Sequence, residues 1–91
     1  MKLPKSVTIG GHTYKVKNHC DFKDQYILGR ISHEHKEIRL SGKDVDVAFW
    51  HEVLHGIDRV YNAQRLDERA VAGLAQGLYQ VIQGIVYGRK K

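Results

Sequence analysis

The sequence predicts a small α+β domain, a three- or four-stranded antiparallel sheet followed by two packed helices. Two observations carry that expectation. Within the first 40 residues, short stretches alternate apolar and polar side chains around turn-forming residues, the two-residue period of strands. From residue 44 onward the spacing lengthens to the helical period. Ninety-one residues, 42% apolar and 27% charged, suit one folded domain over residues 1–91 and not a disordered chain.

The elements follow in order. Ser6-Val7-Thr8-Ile9, Gly10-Gly11 and His12-Thr13-Tyr14-Lys15-Val16-Lys17 read as a β-hairpin, with a Gly-Gly turn and Tyr14 and Val16 alternating with polar neighbours. Residues 18–25 are polar around Phe22 and read as a loop. A second hairpin has Tyr26 to Ile31 as one arm, Ser32 to Lys36 as the turn and Glu37 to Leu40 as the other arm. His33 and His35 stand in that hydrophilic turn without a third metal ligand nearby, and are read as solvated, as are His12 and His19.

Residues 44 to 61 form the first helix. At ~100° per residue, Phe49, Trp50, Val53, Leu54, Ile57, Val60 and Tyr61 share one arc, and His51, His55 and Asp58 take the opposite one. Ser41 or Asp44 can cap it, Asp46 suits its positive end, and Asn62 is a candidate left-handed stop. The second helix is expected from Asp67 to Tyr87. Its uncharged run from Ala70 to Gly88 is long enough to raise a membrane anchor. The pattern argues against one: Gln76, Gln80 and Gln83 fall with Gly73, Gly77 and Gly84, opposite Val71, Leu74, Ala75, Leu78, Val81, Ile82 and Ile85.

Charge narrows the partners. The formal net charge is +5, yet residues 1–40 hold eight Lys and Arg against four Asp and Glu, while residues 41–88 hold four against six. Arg89-Lys90-Lys91 supplies the remainder. The excess lies away from the His-bearing helix and carries few interleaved aromatics, so nucleic acid is not the expected partner. One cysteine, Cys20, allows no internal disulfide, and no apolar run follows Met1-Lys2, so a cytoplasmic location is expected. A monomer or weak dimer is expected, a dimer seam along the glycine stripe being the less favoured reading.

Chemistry concentrates at His51-Glu52-Val53-Leu54-His55, an H-E-x-x-H run. Residues i and i+4 share a helical face, so two imidazoles can converge on one Zn2+, with Glu52 beside them as general base for a metal-activated water. A third ligand must come from elsewhere. Asp58 lies two turns beyond His51 and is better placed to orient His55; Asp67 looks like the cap of the second helix. Glu68 projects from the first turn at the edge of the apolar side, and is the preferred ligand.

His51-Glu52-Val53-Leu54-His55-Gly56 followed by Asp67-Glu68-Arg69-Ala70-Val71-Ala72 resembles the gluzincin group of zincin metallopeptidases. Within it, the chain is most similar to the smallest members, minigluzincin-type and ImmA/IrrE-related proteins, many of them phage-encoded. The resemblance covers roughly residues 26 to 82. It implies a minimal zincin-like fold, a zinc-dependent metallopeptidase, His51, His55 and Glu68 as ligands and Glu52 as base. It also implies that Ile38, Arg39 and Leu40 form an edge strand on which an extended peptide or protein substrate docks. The alternative is a non-catalytic zincin-like zinc-binding module, an interaction protein in which Glu52 has no chemical task.

Overall fold

A computed structural model describes residues 2–88; the charged tail Arg89-Lys90-Lys91 lies outside the described residues. Four strands are followed by two helices: β1 (Ser6–Ile9), β2 (His12–Lys17), β3 (Gly29–Ser32), β4 (Glu37–Leu40), α1 (Val45–Tyr61) and α2 (Glu68–Gly88). The architecture is therefore α+β, as expected.

Both hairpins form. β1 and β2 pair antiparallel from Ser6↔Lys15 to Ile9↔His12, and Gly10 and Gly11 both adopt positive φ in the turn. β3 and β4 pair antiparallel from Gly29↔Leu40 to Ser32↔Glu37. The first arm is shorter than expected, because Tyr26 is exposed and precedes the strand.

The sheet is mixed and not wholly antiparallel. Its order is β1-β2-β4-β3, and β2 pairs with β4 parallel, from Lys15↔Glu37 to Lys17↔Arg39. The loop after β2 carries the chain past the place of β4 to the far edge, and β4 then returns into the gap. Cys20 N–H donates to the Leu40 carbonyl at 2.8 Å, and Ser41 N–H donates to the Leu28 carbonyl at 2.9 Å, fixing that loop to the returning strand.

This order corrects the expected docking strand. β4 is interior, bonded on both sides, and Ile38 and Leu40 are each 0% exposed. An incoming peptide cannot pair with a strand whose backbone groups are already satisfied. The edges are β1 and β3, and Glu52 of α1 lies against Gly29 of β3.

α1 packs between the sheet and α2. Ala48, Phe49 and Val53 meet Ile9, Tyr14, Ile38 and Leu40 in the core, where removal of apolar surface from water drives assembly. Gly56 lets the helix lie close: a Cβ there would come within 2.8 Å of Ile9 Cδ1 and 3.0 Å of Ile31 Cδ1.

The helix ends differ from expectation. Asp44 holds the N-cap position, but its φ of 47° is left-handed and its side chain makes no cap bond. An N-cap side chain normally reaches the helix amides from an extended backbone, which Asp44 lacks. Asn62 has φ −130°, so it is not the left-handed stop; Ala63 and Gln64, at φ 52° and 55°, are.

α2 uses less of its apolar face than its pattern suggests. Val71 and Ala75 are buried, whereas Leu74, Val81 and Ile85 are exposed. Its glycine stripe is open: a Cβ at Gly73, Gly77 or Gly84 would meet nothing within 4 Å. No helix among the described residues is long and apolar enough to cross a membrane.

Candidate metal centre

The site forms where α1 faces the first turn of α2. His51 and His55, one turn apart on α1, bring their Nε2 atoms to 3.2 Å from each other. Asp67 caps α2, accepting the Ala70 N–H at 2.8 Å, and so sets the direction in which Glu68 leaves the helix. The Glu68 carboxylate meets both imidazoles: Oε1 contacts His51 Nε2, and Oε2 lies 2.9 Å from His55 Nε2. One ligand atom from each residue lies within 4.8 Å of the others, a group that could hold a metal ion.

The donor set suits that use. Two neutral imidazoles and one carboxylate are ordinary ligands of divalent zinc. A tetrahedral ion with bonds of ~2.0–2.1 Å separates its ligand atoms by about 3.3 Å, close to the spacing of the two His nitrogens. Burial pushes the Glu68 carboxyl upward, but hydrogen bonds from His51 and His55, and their charge when protonated, outweigh it and hold the group below its usual range. Glu68 itself stays largely exposed, so one side of the centre is open.

Glu52 is only 7% exposed. Burial raises its pKa, opposed by the neighbouring His51 and His55 and by an Ile31 N–H bond, with Glu68 adding to the rise. Room for it comes from β3, since a Cβ on Gly29 would stand 3.3 Å from Glu52 Cγ.

Asp58 does not orient His55. It is buried, and its Oδ1 accepts Asn62 Nδ2–H at 2.9 Å and Leu66 N–H at 3.3 Å. Its carbonyl takes the N–H groups of Asn62 and Gln64 at 2.9 and 3.1 Å. The helical wheel places Asp58 on the histidine face, but the unsatisfied donors of the following turn compete for it and win. Asp58 thus staples the connector that delivers Glu68.

Two cavities flank Glu52 along β3. The larger, about 820 Å³, is lined by Leu28, Gly29, Val45, His51, Glu52 and Tyr79, among others. The smaller, about 380 Å³, is lined by Arg30, Ile31, His33, Glu52, His55 and Gln64. Ile38, Arg39 and Leu40 line neither.

Two residues of this surroundings escape the sequence reading. His33 is not simply a solvated turn residue: its Nδ1 lies 3.2 Å from the hydroxyl of Tyr14, whose ring is buried. The signal was the two-residue alternation of β3, which puts position 33 on the face of Gly29 and Ile31. Tyr79, eleven residues beyond Glu68 on α2, donates its hydroxyl to Asp46 Oδ2 at 3.2 Å and ties α2 to the start of α1.

No known family model matches the chain, and neither a curated protein nor a solved structure matches it significantly.

Proposed function

We propose that the protein is a zinc-dependent metallopeptidase of the gluzincin kind. The observation that carries this reading is the convergence of His51, His55 and Glu68 beside the buried carboxylate of Glu52, which no Lys or Arg among the described residues pairs with. His51, His55 and Glu68 would hold the ion. Zinc in such a site lowers the pKa of water to ~7 and polarises a substrate carbonyl.

The chain's own residues supply the rest. Glu52 accepts a proton from the water that attacks the peptide carbonyl, and passes it to the leaving amine as the C–N bond breaks. Burial raises its pKa, the direction that lets a carboxylate which has taken a proton hold it long enough to return it. The two imidazoles share one helix face, so their geometry is set by α1 and not by a loop. β3 is an edge strand with both cavities along it, so an extended peptide can lie beside it, with the Ile31 N–H already given to Glu52.

Glu52→Gln tests the assignment. The variant keeps fold and zinc but loses at least ~10²-fold in peptide hydrolysis, a floor for removing a general base. A sensitive peptide library with chelation and metal re-addition provides the assay. If wild type and variant are equally inert while both hold zinc, the non-catalytic zincin-like module replaces the peptidase.

A further inference from the structure

We propose that the cavity at the His55 end is a subsite for a carboxylate of the peptide substrate, so that the enzyme selects an acidic side chain or a free C-terminus next to the bond it cleaves. The inference rests on the peptidase reading and names its substrate class.

The two cavities along β3 differ in chemistry. The larger is walled by Tyr26, Leu28, Val45, Val47 and Ala48, with Asp44 at its rim, and suits an apolar side chain. The smaller is lined by Arg30, His33 and Gln64 together with Ile31, His55 and Glu52. Glu52 is its only acid, and that carboxylate is buried and takes the Ile31 N–H.

His33 presents a donor here. The buried Tyr14 hydroxyl must place its proton, and among the described residues His33 Nδ1 is its hydrogen-bond partner. With Nδ1 accepting, the neutral imidazole carries its own proton on Nε2 and can donate from there. The surrounding field is positive. Arg59 and Lys36 both act on His33, along with His55, after burial as the main influence on its ring; no carboxylate is among those charges. Lys36 Nζ also sits 5.6 Å from the centre of the Tyr14 ring. A neutral N–H donor sharing a cavity with the Arg30 guanidinium recognises a carboxylate by charge-assisted hydrogen bonding. Arg30 and Arg59 are exposed, so removing either charge leaves the core intact.

The test measures kcat/KM on peptide pairs that differ only as Glu against Gln at each position beside the cleaved bond. A further pair compares a C-terminal acid with its amide. Wild type favours the acidic member about tenfold at one position, through KM, the scale of one hydrogen bond to a charged group. A Glu/Gln preference assigns the source to a side chain, and an acid/amide preference assigns it to a chain terminus. Arg30→Gln combined with Arg59→Gln brings the ratio towards one, and His33→Gln lowers it. Equal rates within every wild-type pair overturn the subsite. So does a His33→Gln loss that falls on kcat for both members alike, which would make His33 a donor to the reacting carbonyl. Binding of the same pairs as uncleavable reduced-amide analogues to the zinc-loaded protein separates the two claims. Selective binding without hydrolysis of the parent peptides keeps the subsite and removes the peptidase; hydrolysis without discrimination does the reverse.

Discussion

Replacing Asp58 with Ala removes a single oxygen that serves two donors, Asn62 Nδ2–H at 2.9 Å and Leu66 N–H at 3.3 Å. Hydrogen bonds to a charged acceptor contribute ~1.5–3 kcal/mol each, and the longer bond counts for less. Against this, the variant no longer buries a carboxylate, which returns part of the loss. Relaxation of the connector returns a further part, since Ala63 and Gln64 sit at positive φ, a strain on the order of 1 kcal/mol that persists only while the surroundings hold it. A net destabilisation of about 2–3 kcal/mol follows, equivalent to a fall in Tm of roughly 10–20 °C for a domain of this size. Thermal unfolding followed by circular dichroism, on metal-free and zinc-loaded protein, reads it directly. Asp58→Asn keeps one acceptor oxygen and loses less. A metal-free Tm within about 2 °C of wild type, with zinc affinity reduced, would refute the stapling role and return Asp58 to the side of His55.

Two other perturbations bear on the site. Gly29→Ala places a Cβ 2.9 Å from Leu40 Cδ2, 3.2 Å from the Arg39 carbonyl and 3.3 Å from Glu52 Cγ. Overpacking of this kind costs about 1–3 kcal/mol, and it displaces the base, so denaturant unfolding shows a less stable protein and peptide hydrolysis falls more than zinc content. His33 has a folded-state pKa lowered first by burial, then by Arg59, Lys36 and His55. The unfolded chain therefore binds more protons than the fold just below pH ~6.5. The stability contributed by neutral His33 is present above that value and is lost as pH falls through the lowered folded one. His33→Gln flattens this part of the metal-free stability profile, and an unchanged slope would count against the burial of His33 among those charges.

Most of what is local was legible in the sequence. Gly10-Gly11 and the alternation about Tyr14 and Val16 specify the first hairpin, because a turn and a two-residue period are encoded by neighbours. The H-E-x-x-H spacing likewise needs only helix geometry, and Glu68 stands beside the two imidazoles while Asp67 is used as the cap. What depended on distant pairing was not legible. Nothing in Glu37 to Leu40 says that β4 inserts between β2 and β3, since an interior and an edge strand with one buried face share the same alternation. For Asp58, a wheel gives the direction of the side chain but not the competing donors beyond the helix end. For His33, the polar turn hides that the Tyr14 hydroxyl, on another strand, needs a partner.

Crystals of the zinc-loaded protein, with anomalous differences recorded at the zinc edge, locate the ion. One peak per chain is expected, ~2.0–2.2 Å from His51 Nε2, His55 Nε2 and a Glu68 oxygen. A peak elsewhere, no peak, or a Glu68 carboxylate more than about 4 Å from the ion, twice a normal bond length, would contradict that coordination.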